Sequence, residues 1–289
     1  HVSSWIKKQI THVQLLHATH LGKHSKTFIG ENLGLHIAAS ALTKESYETR
    51  VFDSCLNEWD FEALAKRVQE FNPDCICVFT LDGMLEEISE IKKRLAHIGA
   101  FFVAAGPAAI NTGDSLAERL GVDLVWRGDA PGFAGWLRGR LPLHATVPFH
   151  EQPLPSRSDS VLAMKKQFTL GIASSRGCSF GKCGFCTIAS NSRYQKYRWE
   201  PRDADDVVAE FMHLRTEYYP KWITFADGDF IGDQIIGKRR VERFADALIL
   251  ERNDTPFMFD CRIDQLDRAL LLRLKEAGLR QVFVGVEHN

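Results

Sequence analysis

Residues 60–80 read DFEALAKRVQEFNPDCICVFT, and two periods meet inside them. Phe61, Leu64, Ala65, Val68 and Phe71 recur at i, i+3, i+4, the spacing of an amphipathic helix, with Asp60 placed to cap its first turn. Cys75 to Thr80 is then almost wholly apolar. A strand of that kind is expected where helices cover both faces of a parallel sheet.

The same alternation extends outward. Strands are expected at His12–Leu16, Tyr47–Asp53, Cys75–Thr80, Ala100–Ala105 and Val122–Trp126, and helices at Leu33–Thr43, Phe61–Phe71, Met84–His97, Ser115–Leu120 and Ala130–Leu141. Gly99 reads as a helix C-cap, and Gly113 and Asp114 as turn and cap residues. Five strands interleaved with helices predict an α/β, doubly wound parallel sheet over residues 1–141, with ligands over the carboxyl ends of its strands. Asp53 stands where a dinucleotide's ribose acid would, but the first loop has Gly22, Gly30 and Gly34 and no G-x-G-x-x-G. A metal held by His17, His20, His24 and His36, or a sheet that only packs, are the other readings.

Composition narrows the classes. With 36 basic and 37 acidic residues in 289 the net charge is −1, which offers no field for a nucleic acid. Apolar content of 45% and charged content of 25% suit a folded soluble chain. No apolar run reaches the ~18 residues of a membrane span, and the N-terminus lacks the apolar centre of a signal peptide. The first residue is His, so a trimmed start is expected. Seven cysteines, an odd number, point to reduced thiols and a cytoplasmic setting rather than a disulfide framework. Cys55, Cys75, Cys77 and Cys261 follow or fill apolar runs and read as small buried hydrophobes.

The remaining three are different. Residues 142–165 are expected to link two domains, the first stretch carrying Pro142, Pro148, Pro153 and Pro155. The second domain, 166–289, opens on a strand at Phe168–Ala173 that runs into Arg176-Gly177-Cys178-Ser179-Phe180-Gly181-Lys182-Cys183-Gly184-Phe185-Cys186. The spacing is C-x4-C-x2-C on a glycine-bearing loop. Such cysteines chelate a metal, hold a cluster, or are three unconnected thiols open to oxidation. Structural zinc takes four ligands, and no fourth cysteine is near. Three thiolates suit a [4Fe–4S] cluster with one iron left open for a substrate. Arg176 and Lys182 flank the loop and would offset its charge.

This loop resembles that of the radical S-adenosylmethionine (radical SAM) enzymes, whose commonest form is C-x3-C-x2-C with an aromatic residue before the last cysteine, here Phe185. The x4 gap resembles members that carry an N-terminal cobalamin-binding domain. The resemblance covers nearly all of 12–289. It implies a Rossmann-like cobalamin domain followed by a partial TIM-like barrel. The barrel's expected helices are 202–215, 235–250 and 266–277, and its expected strands are 222–226, 257–261 and 281–285, with functional groups at the strands' carboxyl ends. Barrels of the family have about six βα units; this chain ends after the fourth strand, so a fragment lacking the end of the barrel is expected.

The roles implied by the resemblance follow. Cys178, Cys183 and Cys186 ligate the cluster; Phe185, Asp227, Asp229, Arg262 and Glu287 bind S-adenosylmethionine; Leu81, Asp82, Gly106, Pro107, Arg127 and Gly128 line cobalamin. Reductive cleavage of S-adenosylmethionine gives a 5′-deoxyadenosyl radical, and cobalamin most simply supplies a methyl group to an unactivated carbon. An electron donor such as flavodoxin or ferredoxin and a small-molecule or peptide substrate are implied as partners. No D-x-H-x-x-G surrounds His20, so no histidine below cobalt is expected. Cyclisation or rearrangement, an iron–sulfur electron-transfer or sensor module, and a zinc-binding module are the rival readings.

Overall fold

The computed structural model describes residues 7, 9–17, 31–57, 59–157, 169–186, 188 and 199–285. The chain is α/β, and it divides into two units. Among the described residues the first holds those up to Val147 together with 151–157, and the second holds Pro148–His150 and those from Thr169 onward. The expected linker is thus shared between the units, most of its described length going with the first.

The first unit contains β1 (His12–His17), α1 (Leu33–Lys44), β2 (Glu48–Asp53), the single turn α2 (Ser54–Asn57), α3 (Phe61–Phe71), β3 (Cys75–Phe79), α4 (Leu85–Leu95), β4 (Phe101–Ala105), α5 (Pro107–Thr112), α6 (Ser115–Leu120), β5 (Leu124–Trp126) and α7 (Ala130–Leu137). The five strands pair in parallel in the order β2-β1-β3-β4-β5. Alternation along β3 explains its apolar composition. Ile76 and Val78 face one core with Leu64, Val68, Ile88, Ile91 and Leu95 of α3 and α4. Cys75 and Cys77 face the other with Leu35, Ala39 and Leu42 of α1 and Phe133, Trp136 and Leu137 of α7. Each large aliphatic side chain so enclosed contributes roughly 1.5–3 kcal/mol. Helices on both faces make the sheet doubly wound. The order differs from the 3-2-1-4-5-6 of dinucleotide folds, and Asp53 ends an edge strand.

Local signals account for the boundaries. Asp60 caps α3 by accepting from Ala63 N at 2.8 Å, and Asp129 caps α7 by accepting from Gly132 N at 2.8 Å. The helix expected to reach Leu141 stops at Leu137, and Gly139 beyond it is left-handed at φ 74°. The short helix α5 was not foreseen; Pro107 starts it at the position where a missing N–H costs nothing.

The second unit contains β6 (Thr169–Ile172), β7 (Ser175–Gly177), β8 (Trp199–Pro201), α8 (Ala204–Tyr218), β9 (Trp222–Phe225), α9 (Ile236–Leu250), β10 (Phe257–Arg262), α10 (Arg268–Glu276) and β11 (Leu279–Gly285). β6, β9, β10 and β11 form a parallel sheet in chain order, and β7 pairs antiparallel with β8. Its core is aromatic. Phe211, Phe225, Phe230, Phe244 and Phe257 are buried, and they meet mainly edge-to-face, with Phe225 and Phe257 5.9 Å apart and Phe225 and Phe244 5.4 Å apart. Among the described residues no helix is long and apolar enough to cross a membrane.

Candidate functional site

The cysteine loop leaves the carboxyl end of β6 and is pinned there by two buried carboxylates. Asp227, just past β9, takes Ser174 N at 2.8 Å, Ser175 N at 2.6 Å and Ser174 Oγ at 2.5 Å. Arg240, brought in by α9, donates to Ser174 Oγ at 3.1 Å and to the carbonyl of Phe230. Burial dominates both charges: it pushes the Asp227 carboxyl up to about 6 and lowers the Arg240 guanidinium.

Asp229 is wholly enclosed, at 0% exposure. One oxygen accepts from Ser179 N at 2.9 Å, Ser179 Oγ at 2.6 Å and Cys178 Sγ at 3.5 Å. The other accepts from Gln265 Nε2 at 2.7 Å and Gly232 N at 3.0 Å. Arg262, at the end of β10, holds Asp264 with its Nε at 3.0 Å and Ser179 Oγ with its Nη1 at 3.0 Å, and lies 5.1 Å from the centre of the Phe180 ring.

Several of the residues expected to meet a ligand engage the chain's own groups. Asp227 and Asp229 follow the carboxyl end of β9, and their oxygens accept from the loop's own donors. Arg262 turns its fork toward Asp264 and Ser179. Arg176 likewise pairs with Glu200 across β7 and β8, so its charge is balanced before any cluster is considered. Ser174, Ser179, Arg240 and Gln265 escaped the sequence reading; being neutral polar residues or a helix arginine, they carry no spacing signal. Glu287 lies outside the described residues.

Cys178, Cys183 and Cys186 are free and half-buried. Burial pushes the Cys178 thiol up, against the pull of the Gly181 and Phe180 backbone N–H groups. Cys186 N donates to the Cys183 carbonyl at 3.3 Å, which turns the chain between the last two cysteines. Phe185 stands 72% exposed beside them. Among the described residues no three His, Cys, Asp or Glu side chains gather closely enough to hold one metal ion. A single tetrahedral ion needs its donors around one point, whereas a cluster takes each thiolate on a different iron. Three half-buried thiols on one loop, the neighbouring Asp229 carboxylate being already engaged by Ser179, Gln265 and Gly232, fit the cluster by donor chemistry. A cavity of about 450 Å³ in this unit is lined by Arg202, Asp203, Arg239, Arg240 and Arg243 among others and includes none of the cysteines.

In the first unit the strand order reverses at β1 and β3. The connection from β1 leads to α1 on one face and that from β3 to α4 on the other, which opens a crevice at their carboxyl ends. Leu81 and Asp82 follow β3 there and are exposed. Gly106 and Pro107 follow β4, and Arg127 and Gly128 follow β5. Gly106 has φ 110°, and a Cβ on it would lie 2.9 Å from the Thr80 carbonyl oxygen. A Cβ on Gly128 would overlap the carbonyl of Ala145. Both glycines are required by the protein's own backbone. Arg127 reaches Asp114 at 3.8 Å. Of the four histidines read as a possible metal set, His36 is buried, its Nδ1 donating to the Ser156 carbonyl at 2.7 Å; the side chain of His17, and His20 and His24, lie outside what is described. Cys75, Cys77 and Cys261 are buried as expected; the side chain of Cys55 lies outside what is described.

The chain superimposes on the cobalamin-dependent S-adenosylmethionine radical enzyme OxsB with aqua-cobalamin and S-adenosylmethionine bound, at a TM-score of 0.77 and 19% identity over 96% of this chain. The fold is similar to that of OxsB. The aqua-cobalamin-bound and apo forms of OxsB match at TM-scores of 0.75 and 0.72. The chain spans 44% of the length of OxsB. No protein-family model and no curated protein sequence matches it.

Proposed function

We propose that this chain is part of a cobalamin-dependent radical SAM enzyme. The observation that carries the reading is the C-x4-C-x2-C loop at the carboxyl end of β6, in a fold similar to that of OxsB across both units. In this reading the first unit is a Rossmann-like cobalamin domain and the second the opening βα units of a TIM-like barrel.

Cys178, Cys183 and Cys186 would hold the [4Fe–4S] cluster, and Phe185 would cover the nucleoside of S-adenosylmethionine. When bound, the cluster supplies the electron that cleaves S-adenosylmethionine to a 5′-deoxyadenosyl radical, and cobalamin supplies a methyl group for an unactivated carbon. The chain's own residues do three things. The half-buried thiols set where the cluster docks. Asp227 and Arg240 anchor the loop's root to β9 and α9. Leu81 and Asp82 flank the crevice where the first sheet's order reverses, the place for cobalamin's edge.

Two steps test the reading. Anoxic reconstitution with iron and sulfide is expected to give a brown chain with close to four irons, and reduction in the presence of S-adenosylmethionine is expected to release 5′-deoxyadenosine. A colourless chain, or one that takes up a single zinc, contradicts it. Cobalamin retained through gel filtration tests the first unit separately, and transfer of a labelled methyl group separates methylation from rearrangement.

A further inference from the structure

Asp229 is more fully committed than any other acid at the site. Five donors converge on its two oxygens: Ser179 N, Ser179 Oγ and Cys178 Sγ on one, Gln265 Nε2 and Gly232 N on the other. A carboxylate offers about four lone-pair positions, so the set is one donor over-full, and the longest contact is the thiol at 3.5 Å. A sulfur bonded to iron donates nothing, and four donors then remain for about four positions. Gln265 is fixed from both ends. Its Oε1 accepts from Arg262 N at 2.9 Å, and its Nε2 also reaches the Gly232 carbonyl at 2.7 Å. The amide therefore has one workable orientation. Ser179, next to Cys178, is gripped from a third side by Arg262 Nη1 at 3.0 Å.

We infer that Asp229, Gln265 and Ser179 form a positioning clamp that fixes the Cys178 turn from the ends of β9 and β10, presenting that sulfur before any cluster arrives. The inference rests on the reading of the cysteines as cluster ligands, and it gives Asp229 a structural duty toward the cluster in place of contact with S-adenosylmethionine. The clamp demands a carboxylate. In Asp229→Asn either amide orientation turns an NH2 toward donors that the carboxylate accepts, and a donor left facing another donor loses its partner.

The test compares wild type with Asp229→Asn, Ser179→Ala and Gln265→Ala, with Asp254→Asn, at an 83% exposed side chain, as control. In the intact iron-free chain, iodoacetamide labelling of each cysteine is read by peptide mass spectrometry. The ratio of Cys178 to Cys183 labelling is expected to rise severalfold in the three clamp variants and to stay at the wild-type value in the control. After anoxic reconstitution, iron loss to a chelator is expected to be severalfold faster in the clamp variants, and Asp229→Asn combined with Gln265→Ala is expected to be no worse than the stronger single change. Unchanged labelling ratios together with unchanged iron loss overturn the clamp. If Asp229→Asn fails to fold, Ser179→Ala, which leaves the carboxylate in place, decides the matter. A wild-type chain that takes up no cluster refutes the functional reading while the labelling ratio still tests the clamp.

Discussion

The two sheets use the same parallel βα unit and differ in how their strands are ordered. In the first, the order turns back at β1 and β3 and helices cover both faces, so the natural opening is a crevice inside the sheet's edge. In the second, β6, β9, β10 and β11 advance without reversal, so loops of one kind collect along one edge and the cysteine turn joins them there. The contrast extends to side chains. Around the first crevice glycines make room for the chain's own carbonyls; around the second, carboxylates soak up the chain's own donors. At both edges described residues expected to contact a ligand also build the frame, while Leu81 and Asp82 in one unit and Phe185 in the other stand exposed.

The sharpest way to break the comparison is Cys183→Ala. S-adenosylmethionine cleavage is expected to vanish while cobalamin still co-elutes with the chain; retained cleavage, or lost cobalamin, contradicts the division of labour. Next in size is Phe257→Ala in the second unit's aromatic cluster, expected to cost about 3–5 kcal/mol in denaturant unfolding. A similar effect follows from pH. Because burial raises the Asp227 carboxyl from 3.8 to about 6, the folded chain holds this proton more tightly than the unfolded chain. Its contribution is present below about pH 4 and is lost as pH rises through about 6, a fall of about 3 kcal/mol in all and about 2 kcal/mol between pH 4 and pH 6. Asp227→Asn is expected to flatten that slope, read from unfolding free energy at pH 4 and pH 6; an unaltered slope assigns it to another group. Smallest is Gly128→Ala. Overlap with the Ala145 carbonyl predicts a loss of about 1–3 kcal/mol in the cobalamin-free chain, whereas a glycine kept for cofactor approach would lower cobalamin affinity and leave the stability of the cobalamin-free chain alone.

What could be read from sequence follows from range. The 61–71 helix was legible because its period and its Asp60 cap lie within twelve residues, and β3 because an unbroken apolar run betrays two covered faces. The pairing of β7 with β8 was hidden: each is three residues long, and their partners lie more than twenty residues apart. The cysteines announced themselves by spacing. Asp227 and Asp229 could be placed at a strand's end, but the direction of their carboxylates depends on Ser174, Ser179 and Gln265, which arrive from β6 and β10 and bear no charge that a pattern could reveal.

The central claim is a cluster on three cysteines with one iron open to S-adenosylmethionine, and electron paramagnetic resonance of the reduced, reconstituted chain tests it most directly. Addition of S-adenosylmethionine is expected to alter the cluster's signal in wild type, as its amino and carboxylate groups reach the open iron. A signal that is unchanged by S-adenosylmethionine at saturating concentration would contradict the account.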